Sequence, residues 1–431
     1  MNTRKFAMSL VAVAAIVAGC SSSAATPTAA PTTAPTTAPT PTAMASETAT
    51  PAASSSAAAG LTVSSFTADF SAMAQLTSVT SAGKGLVGVI LPDVTTSARY
   101  TSYDLPYLKQ AFTAAGYAST DFKIDNASGT TTTEVAIAQA DINAGAKVLL
   151  VDPLDKQTGQ QIQALAAQAG IPMISYDRAT FQGSTTYYVS FDNVQVGELI
   201  GKGFVQCVSD WKVSSPQVFT LDGGQDTDPN AIDFAKGYND AVWGQKVAQV
   251  PDGTTNNGMT LVHEQLAPGW DNAKGQAIFK SAFTANPKIN ATIEANDGLA
   301  GAVITDLKAA GVKANTIPTT GQDATLDGLV NVLQGYQCGS VYKPIYLEAQ
   351  AAVALATYLR AGQTPPAGLV NGTTTTTDTS NSATSEPAVL LTPYWVNTAN
   401  MESTVIKDQF VKASDLCAKA GADVCTKYGI Q

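Results

Sequence analysis

Several residue types are scarce in the 431-residue sequence, and their scarcity argues against several classes of function. Histidine occurs once, at His263, which argues against a Ser-His-Asp triad and against a metal site built on Cys/His clusters. Charged residues make up 13% of the chain and the net charge is −10, so the basic patches that bind nucleic acid are not expected. After the first twenty residues, no apolar run is long enough to cross a bilayer. A neutral small-molecule ligand is compatible with all of these features.

The N-terminus has the features of a bacterial export signal. The basic pair Arg4 and Lys5 precedes an apolar stretch from Phe6 to Ala18, and Gly19-Cys20 follows it. The segment resembles the lipobox of bacterial lipoproteins. We therefore expect residues 1–20 to be a signal peptide, with a lipidated Cys20 as the only membrane anchor, on the outer face of the cell membrane. An ordinary secretory signal or a first membrane helix is the alternative, although the stretch is short for a span of about 20 residues.

The segment 21–60 consists almost entirely of Ser, Thr, Ala and Pro. Such a composition cannot bury a hydrophobic core, so these residues are interpreted as a linker. The roughly 370 residues that remain are too many for one ordinary core and suit two lobes.

Four cysteines remain besides Cys20, which is an even number in an oxidising compartment: Cys207, Cys338, Cys417 and Cys425. Disulfides are expected there, and three pairings are possible. We favour 417–425, because a short C-terminal loop closes easily, and this leaves 207–338.

Short runs rich in Val and Ile alternate with amphipathic helical stretches from about residue 84 onward. Near-continuous apolar strands between helices are typical of parallel sheets that are covered on both faces. Too many strands are present for one compact sheet, and the segment 190–194 falls in the middle. The expected fold class is therefore α/β, with two doubly wound lobes. A last strand is expected over 388–396, and another over 316–321.

Polar or aromatic residues follow nearly every predicted strand. Ligands of open α/β sheets bind beyond the carboxyl ends of the strands. Carboxylates accept hydrogen bonds from hydroxyls, Arg, Lys and Asn donate to them, and aromatic faces cover the C–H side of a sugar ring. Taken singly, such residues are often helix caps or turn formers; as a set they indicate a polyol site. The candidates are Asp93, Arg99, Tyr100, Asp177, Arg178, Asn230, Trp270, Asn296, Asp297, Asp323 and Lys343.

Several blocks carry a resemblance to a known family. The segments 172–200 (PMISYDRATFQGSTTYYVSFDNVQVGELI), 294–311 (EANDGLAGAVITDLKAAG) and 321–345 (GQDATLDGLVNVLQGYQCGSVYKPI) are similar to stretches of bacterial xylose-binding proteins. The chain thus resembles the type I, ribose-like periplasmic sugar-binding proteins that serve ABC importers. At PDVTTSARY it departs from the xylose-binding pattern: a basic residue is missing and Tyr100 stands in place of Trp.

The resemblance implies two lobes that are joined by a three-segment hinge and close over a sugar. The expected boundaries are 61–192 with 344–370 for the N-terminal lobe, 193–343 with 371–400 for the C-terminal lobe, and 401–431 for a tail. It also implies ligand roles for the site candidates above and no catalysis, cofactor or metal.

The expected function is a monomeric, lipid-anchored receptor that delivers a monosaccharide, xylose or a similar sugar, to an ABC permease. One alternative is a sugar sensor that feeds a membrane kinase. Another is an extracellular carbohydrate-active enzyme, which would need two carboxyls placed across a groove.

Overall fold

Two mainly parallel β-sheets with helices on both faces organise this computed structural model. The structure describes residues 61–94, 97, 99–181, 186–224, 228–375 and 384–431. The predicted signal peptide 1–20, the lipidated Cys20 and the linker 21–60 lie outside these ranges.

The first sheet has seven strands in the order β11-β12-β5-β4-β3-β1-β2. All neighbours are parallel except β11, which runs antiparallel to β12 at one edge. The strands are β1 (Leu86–Leu91), β2 (Phe122–Asn126), β3 (Ala146–Val151), β4 (Met173–Tyr176), β5 (Thr186–Phe191), β11 (Gly372–Thr375) and β12 (Ser385–Leu391).

The second sheet has four strands in the order β7-β8-β6-β9, and β10 pairs with β13 in a separate two-stranded ribbon. The strands are β6 (Gln217–Gly224), β7 (Thr255–Asn256), β8 (Met259–Pro268), β9 (Ala291–Glu294), β10 (Ser340–Tyr342) and β13 (Tyr394–Val396).

Helices cover both sheets because side chains on both faces of the strands are apolar. In β1, Val87 and Val89 pack into one core and Ile90 packs into another on the opposite face. The helices are α1 (Thr77–Ala82), α2 (Leu105–Ala114), α3 (Thr131–Asn143), α4 (Lys156–Gln168), α5 (Asn193–Asp210), α6 (Pro229–Trp243), α7 (Asn272–Ala285), α8 (Asp297–Ala309), α9 (Leu326–Leu333), α10 (Ile345–Arg360), α11 (Ala413–Ala420) and α12 (Ala422–Lys427).

The chain passes between the two sheets three times. It leaves the first sheet after β5, returns after β10 through Lys343 and Pro344 into α10, and crosses again between β12 and β13. The apolar face of α10 packs in the core of the first sheet, and Val353 and Leu355 are fully buried there. The carboxyl ends of the strands in both sheets therefore face the region where these crossings lie, which is where ligands of such sheets bind.

Both expected disulfides are present. Cys207 of α5 is bonded to Cys338, which lies just before β10, and Cys417 of α11 is bonded to Cys425 of α12. The first bond ties together two segments beside the second sheet, and the second closes the C-terminal helical pair.

Two sequence expectations about the late chain are wrong. The expected C-terminal lobe includes residues 371–400, yet β11 and β12 extend the first sheet, where β12 pairs with β5. Only β13 of this segment lies beside the second sheet. The single strand expected over 388–396 is split at Pro393, because a proline cannot donate to a strand ladder.

The segment 316–321 is extended but is not a strand. It contains Pro318, whose carbonyl accepts from Thr292 N at 2.9 Å but which has no N–H to return. The neighbouring bridge joins Gln322 to Val341 alone.

Candidate functional site

A central cavity lies between the carboxyl ends of the two sheets. Nine of the eleven sequence candidates line it. Those beside the first sheet are Arg99, Tyr100, Asp177 and Arg178, and those beside the second are Asn230, Trp270, Asn296, Asp323 and Lys343. The structure thus brings together residues that lie up to about 240 positions apart in sequence, because the carboxyl ends of both sheets and the crossings between them meet in this region.

The guanidinium of Arg99 is buried in a cluster of three carboxylates. It donates to both oxygens of Asp104, at 2.9 and 2.8 Å, to Asp177 Oδ1 at 2.8 Å and to Glu348 Oε2 at 2.7 Å. Burial alone would lower the pKa of Arg99, but the carboxylates outweigh it and hold that pKa well above the usual value. Arg99 is therefore a fixed cation that orients the Asp177 carboxylate at the cavity wall.

The Asp177 carboxylate is an ionised acceptor. Burial opposes its charge, yet Arg99, Lys343 and Arg178 together lower its pKa below the usual value. Glu348 behaves differently, because burial outweighs Arg99 and raises its pKa to about 8. The cluster thus keeps its charge on the side that faces the cavity.

Asn230 joins the two lobes beside the cavity. Its Nδ2 donates to the Asp177 carbonyl at 2.8 Å, and its Oδ1 accepts from Asn193 Nδ2 at 3.0 Å. Tyr188, from β5, also donates to the Asp177 carbonyl, at 2.7 Å. Asn230 therefore lines the cavity and bonds across it.

Lys343 and Asp323 form a buried ion pair at the opposite wall. Lys343 Nζ lies 3.0 Å from Asp323 Oδ1, and both side chains are less than a tenth exposed. Lys343 stands at the end of β10, immediately before the crossing into α10. This pair therefore couples the wall of the cavity to a crossing between the lobes.

Three lining residues have left-handed backbone conformations. The φ angles of Asp177, Trp270 and Asp323 are 60°, 59° and 90°. Such conformations are uncommon outside glycine, and they cluster at functional sites, where the surrounding packing holds them. At each position the strained backbone aims a polar or aromatic side chain into the cavity.

Trp270 is held by glycine and by a helix cap. A Cβ on Gly223 would lie 1.9 Å from the indole ring, so only glycine lets the ring pack there. The indole Nε1 donates to Asp228 Oδ2 at 2.9 Å, while Asp228 Oδ1 caps α6 at Asn230 N and Ala231 N. One carboxylate thereby positions both an aromatic wall and the helix that carries Asn230.

Two sequence candidates do not line the central cavity. The Asp297 carboxylate accepts from Ser340 Oγ at 2.8 Å, from Gln337 Nε2 at 2.7 Å and from Thr325 N at 2.8 Å, so its oxygens hold the second lobe together. Burial raises its pKa to about 7. Asp93 is buried as well, but it lines an adjoining cavity. Neither residue lines the central cavity, and ligand contact by Asp93 and Asp297 stays a prediction.

Among the described residues, sequence reasoning missed four that line the central cavity: Ser97, Asp228, Phe234 and Gln322. Asp228 precedes Pro229 at the start of α6, a pattern that indicates only a cap. Phe234 lies one helical turn after Asn230, so a helix prediction could have placed both on the same face. Gln322 directly precedes Asp323 and follows the same predicted strand, so the sequence could have indicated both residues.

No group of His, Cys, Asp and Glu suited to hold a metal ion occurs in the described ranges. In the same part of the chain, no helix has the length and apolar character needed to span a bilayer. The chemistry that the cavity offers is hydrogen bonding by fixed charges and amides, together with aromatic contact.

Comparisons with known proteins show the family of this chain. A family model described as "Periplasmic binding protein domain" matches residues 87–364. The D-xylose-binding periplasmic protein of Escherichia coli is 33% identical over 294 residues, which cover 68% of this chain and 82% of that protein. The multiple sugar-binding periplasmic receptor of Rhizobium radiobacter is 28% identical, over 78% of this chain and 93% of that protein.

A solved structure shares the fold. The ABC transporter solute binding protein from Clostridium phytofermentans, with bound β-D-glucose, has a TM-score of 0.66 at 23% identity and covers 77% of this chain and 99% of that chain. Because the family model spans well over half of the sequence, this chain belongs to the periplasmic binding protein family and is a binding protein rather than an enzyme.

Proposed function

We propose that this protein is an extracytoplasmic receptor that binds a monosaccharide in the central cavity and delivers it to an ABC importer. The observation that carries the proposal is the convergence of fixed charges, amides and an indole, from both lobes, on one cavity. The xylose-binding relative, at 33% identity, makes xylose the first sugar to test. Membrane attachment through a lipid on Cys20 and a monomeric state belong to the same proposal.

The cavity supplies both kinds of partner that a sugar hydroxyl needs. Asp177 and Asp323 accept hydrogen bonds, while Arg178 and Lys343 donate them. Charged partners make the stronger hydrogen bonds, and their strength increases where water is excluded. Trp270 offers an apolar face for the C–H side of the ring.

The two polar atoms of the Asn296 side chain have different roles. Its Oδ1 accepts from Leu299 N at 2.9 Å and caps α8. The cap does not use the amide Nδ2, so this group is available as a donor to a hydroxyl. Helix caps at this edge of the sheet are thus compatible with ligand contact.

Ligand binding draws the two lobes together, because the contacts come from both. The closed arrangement is then the form that a membrane permease recognises. Hydrogen bonds between the lobes, such as that from Asn230 Nδ2 to the Asp177 carbonyl at 2.8 Å, support this closed arrangement.

A thermal-shift screen of the purified protein against xylose, arabinose, ribose, glucose, galactose and allose tests the proposal. A ligand at 100 times its Kd stabilises the folded state by about 2.7 kcal/mol, which gives a readable rise in Tm. A rise with one sugar is expected, and no rise with any of the six would count against a monosaccharide receptor.

Replacing Asp323 by Ala is expected to weaken sugar binding by about 1–3 kcal/mol, because the hydroxyl partner loses a charged acceptor. Isothermal titration against the sugar found in the screen measures this loss. The matched control is Asp327→Ala, whose exposed carboxylate contacts Lys419 on the surface. Unchanged affinity in the Asp323 variant would remove that residue from the site.

A further inference from the structure

A second cavity adjoins the central one and is considerably larger. Its volume is about 320 Å³, against about 40 Å³ for the central cavity. Cavities that hold small ligands are typically about 300–1,000 Å³, and the adjoining cavity falls in that range. A further cavity of about 510 Å³, which borders the central one at Asn296 and Asp323, falls in it as well. The central and adjoining cavities together are therefore much larger than the central cavity alone.

In the part of the chain that the structure describes, three residues line both cavities: Arg178, Asp228 and Trp270. The guanidinium of Arg178 has a partner in each cavity. Its Nη2 donates to the Tyr100 hydroxyl, in the central cavity, at 2.9 Å. Its Nη1 donates to the Pro153 carbonyl, in the adjoining cavity, at 3.0 Å. The two cavities are thus contiguous at this boundary.

The lining of the adjoining cavity is mixed. Pro153, Leu154 and Ala179 provide apolar surface next to the Trp270 indole. Asp93, Asp155 and Lys156 provide polar groups. Apolar patches between hydrogen-bonding groups suit a ring that has C–H faces and hydroxyl edges.

The charges around the adjoining cavity argue against an anionic occupant. Among the described lining residues, Asp93, Asp155 and Asp228 contribute three carboxylates, and Arg178 and Lys156 contribute two cations, which leaves one negative charge in excess. A uronate or phosphate group would meet this excess charge, whereas hydroxyls donate to carboxylates.

We propose that the physiological ligand is a neutral disaccharide, with one aldose ring in the central cavity and the second ring in the adjoining cavity beyond Trp270 and Arg178. This inference rests on the proposed function, since the first ring occupies the monosaccharide site. It changes the substrate class from a single sugar to a two-ring sugar.

Isothermal titration of the purified protein with xylose and glucose, and with β-1,4-xylobiose, cellobiose and maltose, tests the inference. We expect at least one disaccharide to bind at least ten-fold more tightly than its own monosaccharide. If the monosaccharides bind and no disaccharide binds more tightly, the inference is overturned while the proposed function stands. If none of these five sugars binds, and none of the six monosaccharides raises Tm in the thermal-shift screen, both fail.

A matched pair of variants locates the second ring. Thr131→Trp places a large side chain at the rim of the adjoining cavity, on an exposed first residue of α3. It is expected to abolish the ten-fold advantage and to leave monosaccharide affinity within two-fold. Thr132→Trp, at the next exposed position, lines neither cavity and is expected to leave both affinities unchanged. A disaccharide advantage that survives in Thr131→Trp would overturn the assignment to this cavity.

Discussion

One carboxylate near the site has two roles, as a helix cap and as a hydrogen-bond partner of the Trp270 indole. Comparison with a carboxylate that is only a helix cap separates these roles. Asp228 caps α6 and also accepts from the Trp270 indole. Asp192 caps α5 at Gln195 N and lines neither of the two cavities. The pair therefore compares a cap that supports the site with a cap that supports only a helix.

Asp228→Ala is expected to weaken sugar binding by about five-fold or more, because Trp270 loses the partner that holds it and a lost hydrogen bond costs about 1 kcal/mol. Asp192→Ala is expected to lose a similar amount of stability, about 1 kcal/mol, without that loss of affinity. Urea unfolding and titration with the sugar measure the two effects. Equal affinities in the two variants would contradict the role given to Asp228.

The buried glutamate Glu294 makes stability depend on pH. It accepts from Thr320 N at 2.9 Å, and burial raises its pKa to about 8. In the unfolded chain the pKa returns to about 4.3, so the folded state holds the proton over a range where the unfolded state has lost it. Its contribution to stability is full below about pH 4 and is lost as the pH rises towards 8, by on the order of 1 kcal/mol per pH unit.

Glu294→Gln is therefore expected to flatten the fall in Tm between pH 5 and pH 8, because an amide has no proton to lose. Glu198→Gln is the control, since Glu198 forms a surface pair with Lys202. Melting curves across this pH range measure the slopes. Identical slopes in the wild-type protein and the Glu294 variant would show that this carboxyl does not set the dependence.

At the scale of elements, the packing of α5 on α6 depends on glycine. A Cβ on Gly197 would lie 2.0 Å from the Phe234 carbonyl oxygen, and a Cβ on Gly237 would lie 2.2 Å from the Val194 carbonyl oxygen. The two helix backbones can therefore approach only because side chains are absent at these positions. This contact fixes α6, and with it the cavity residues Asn230 and Phe234.

Gly197→Ala is expected to destabilise the protein by about 1–3 kcal/mol, because the added methyl group forces the two helices apart. Gly301→Ala in α8 has open space around its Cβ position and is expected to stabilise by up to about 1 kcal/mol, through helix propensity. Chemical unfolding of both variants measures the difference. A neutral Gly197→Ala variant would contradict the close packing of α5 and α6.

At the scale of the whole molecule, the two disulfides contribute unequally. The Cys207–Cys338 bond spans 131 positions and the Cys417–Cys425 bond spans 8. In the chain-entropy description, a longer loop removes more freedom from the unfolded chain, which corresponds to about 5 and about 2.5 kcal/mol respectively.

Replacing both Cys207 and Cys338 by Ala is therefore expected to lower the free energy of unfolding about twice as much as the same change at Cys417 and Cys425. None of the four cysteines lines the central cavity, so sugar-driven closure is expected to persist in either variant. Unfolding curves and sugar titrations measure the two properties. A larger loss from the short-loop pair would argue against the entropic account.

The sequence by itself determined the α/β class, most strands and helices, and nine residues that line the central cavity. Runs such as LVGVIL, with apolar side chains on both faces, form buried parallel strands, and the residues that follow them reach a shared edge. The disulfide pairing was also favoured from spacing alone. These properties depend on local sequence, on strand polarity or on a resemblance in sequence.

Only the tertiary structure decided which sheet each late strand joins and what each polar side chain contacts. Strand β12 is equally apolar whichever sheet it joins, so its pairing with β5 depends on where the third crossing leads. Asp297 and Asp323 each follow a strand predicted from the sequence, yet one carboxylate is used by internal bonds and the other lines the cavity. Glu348 reaches Arg99 across 249 positions, a contact that no local pattern encodes because it arises from the packing of α10 on the first sheet.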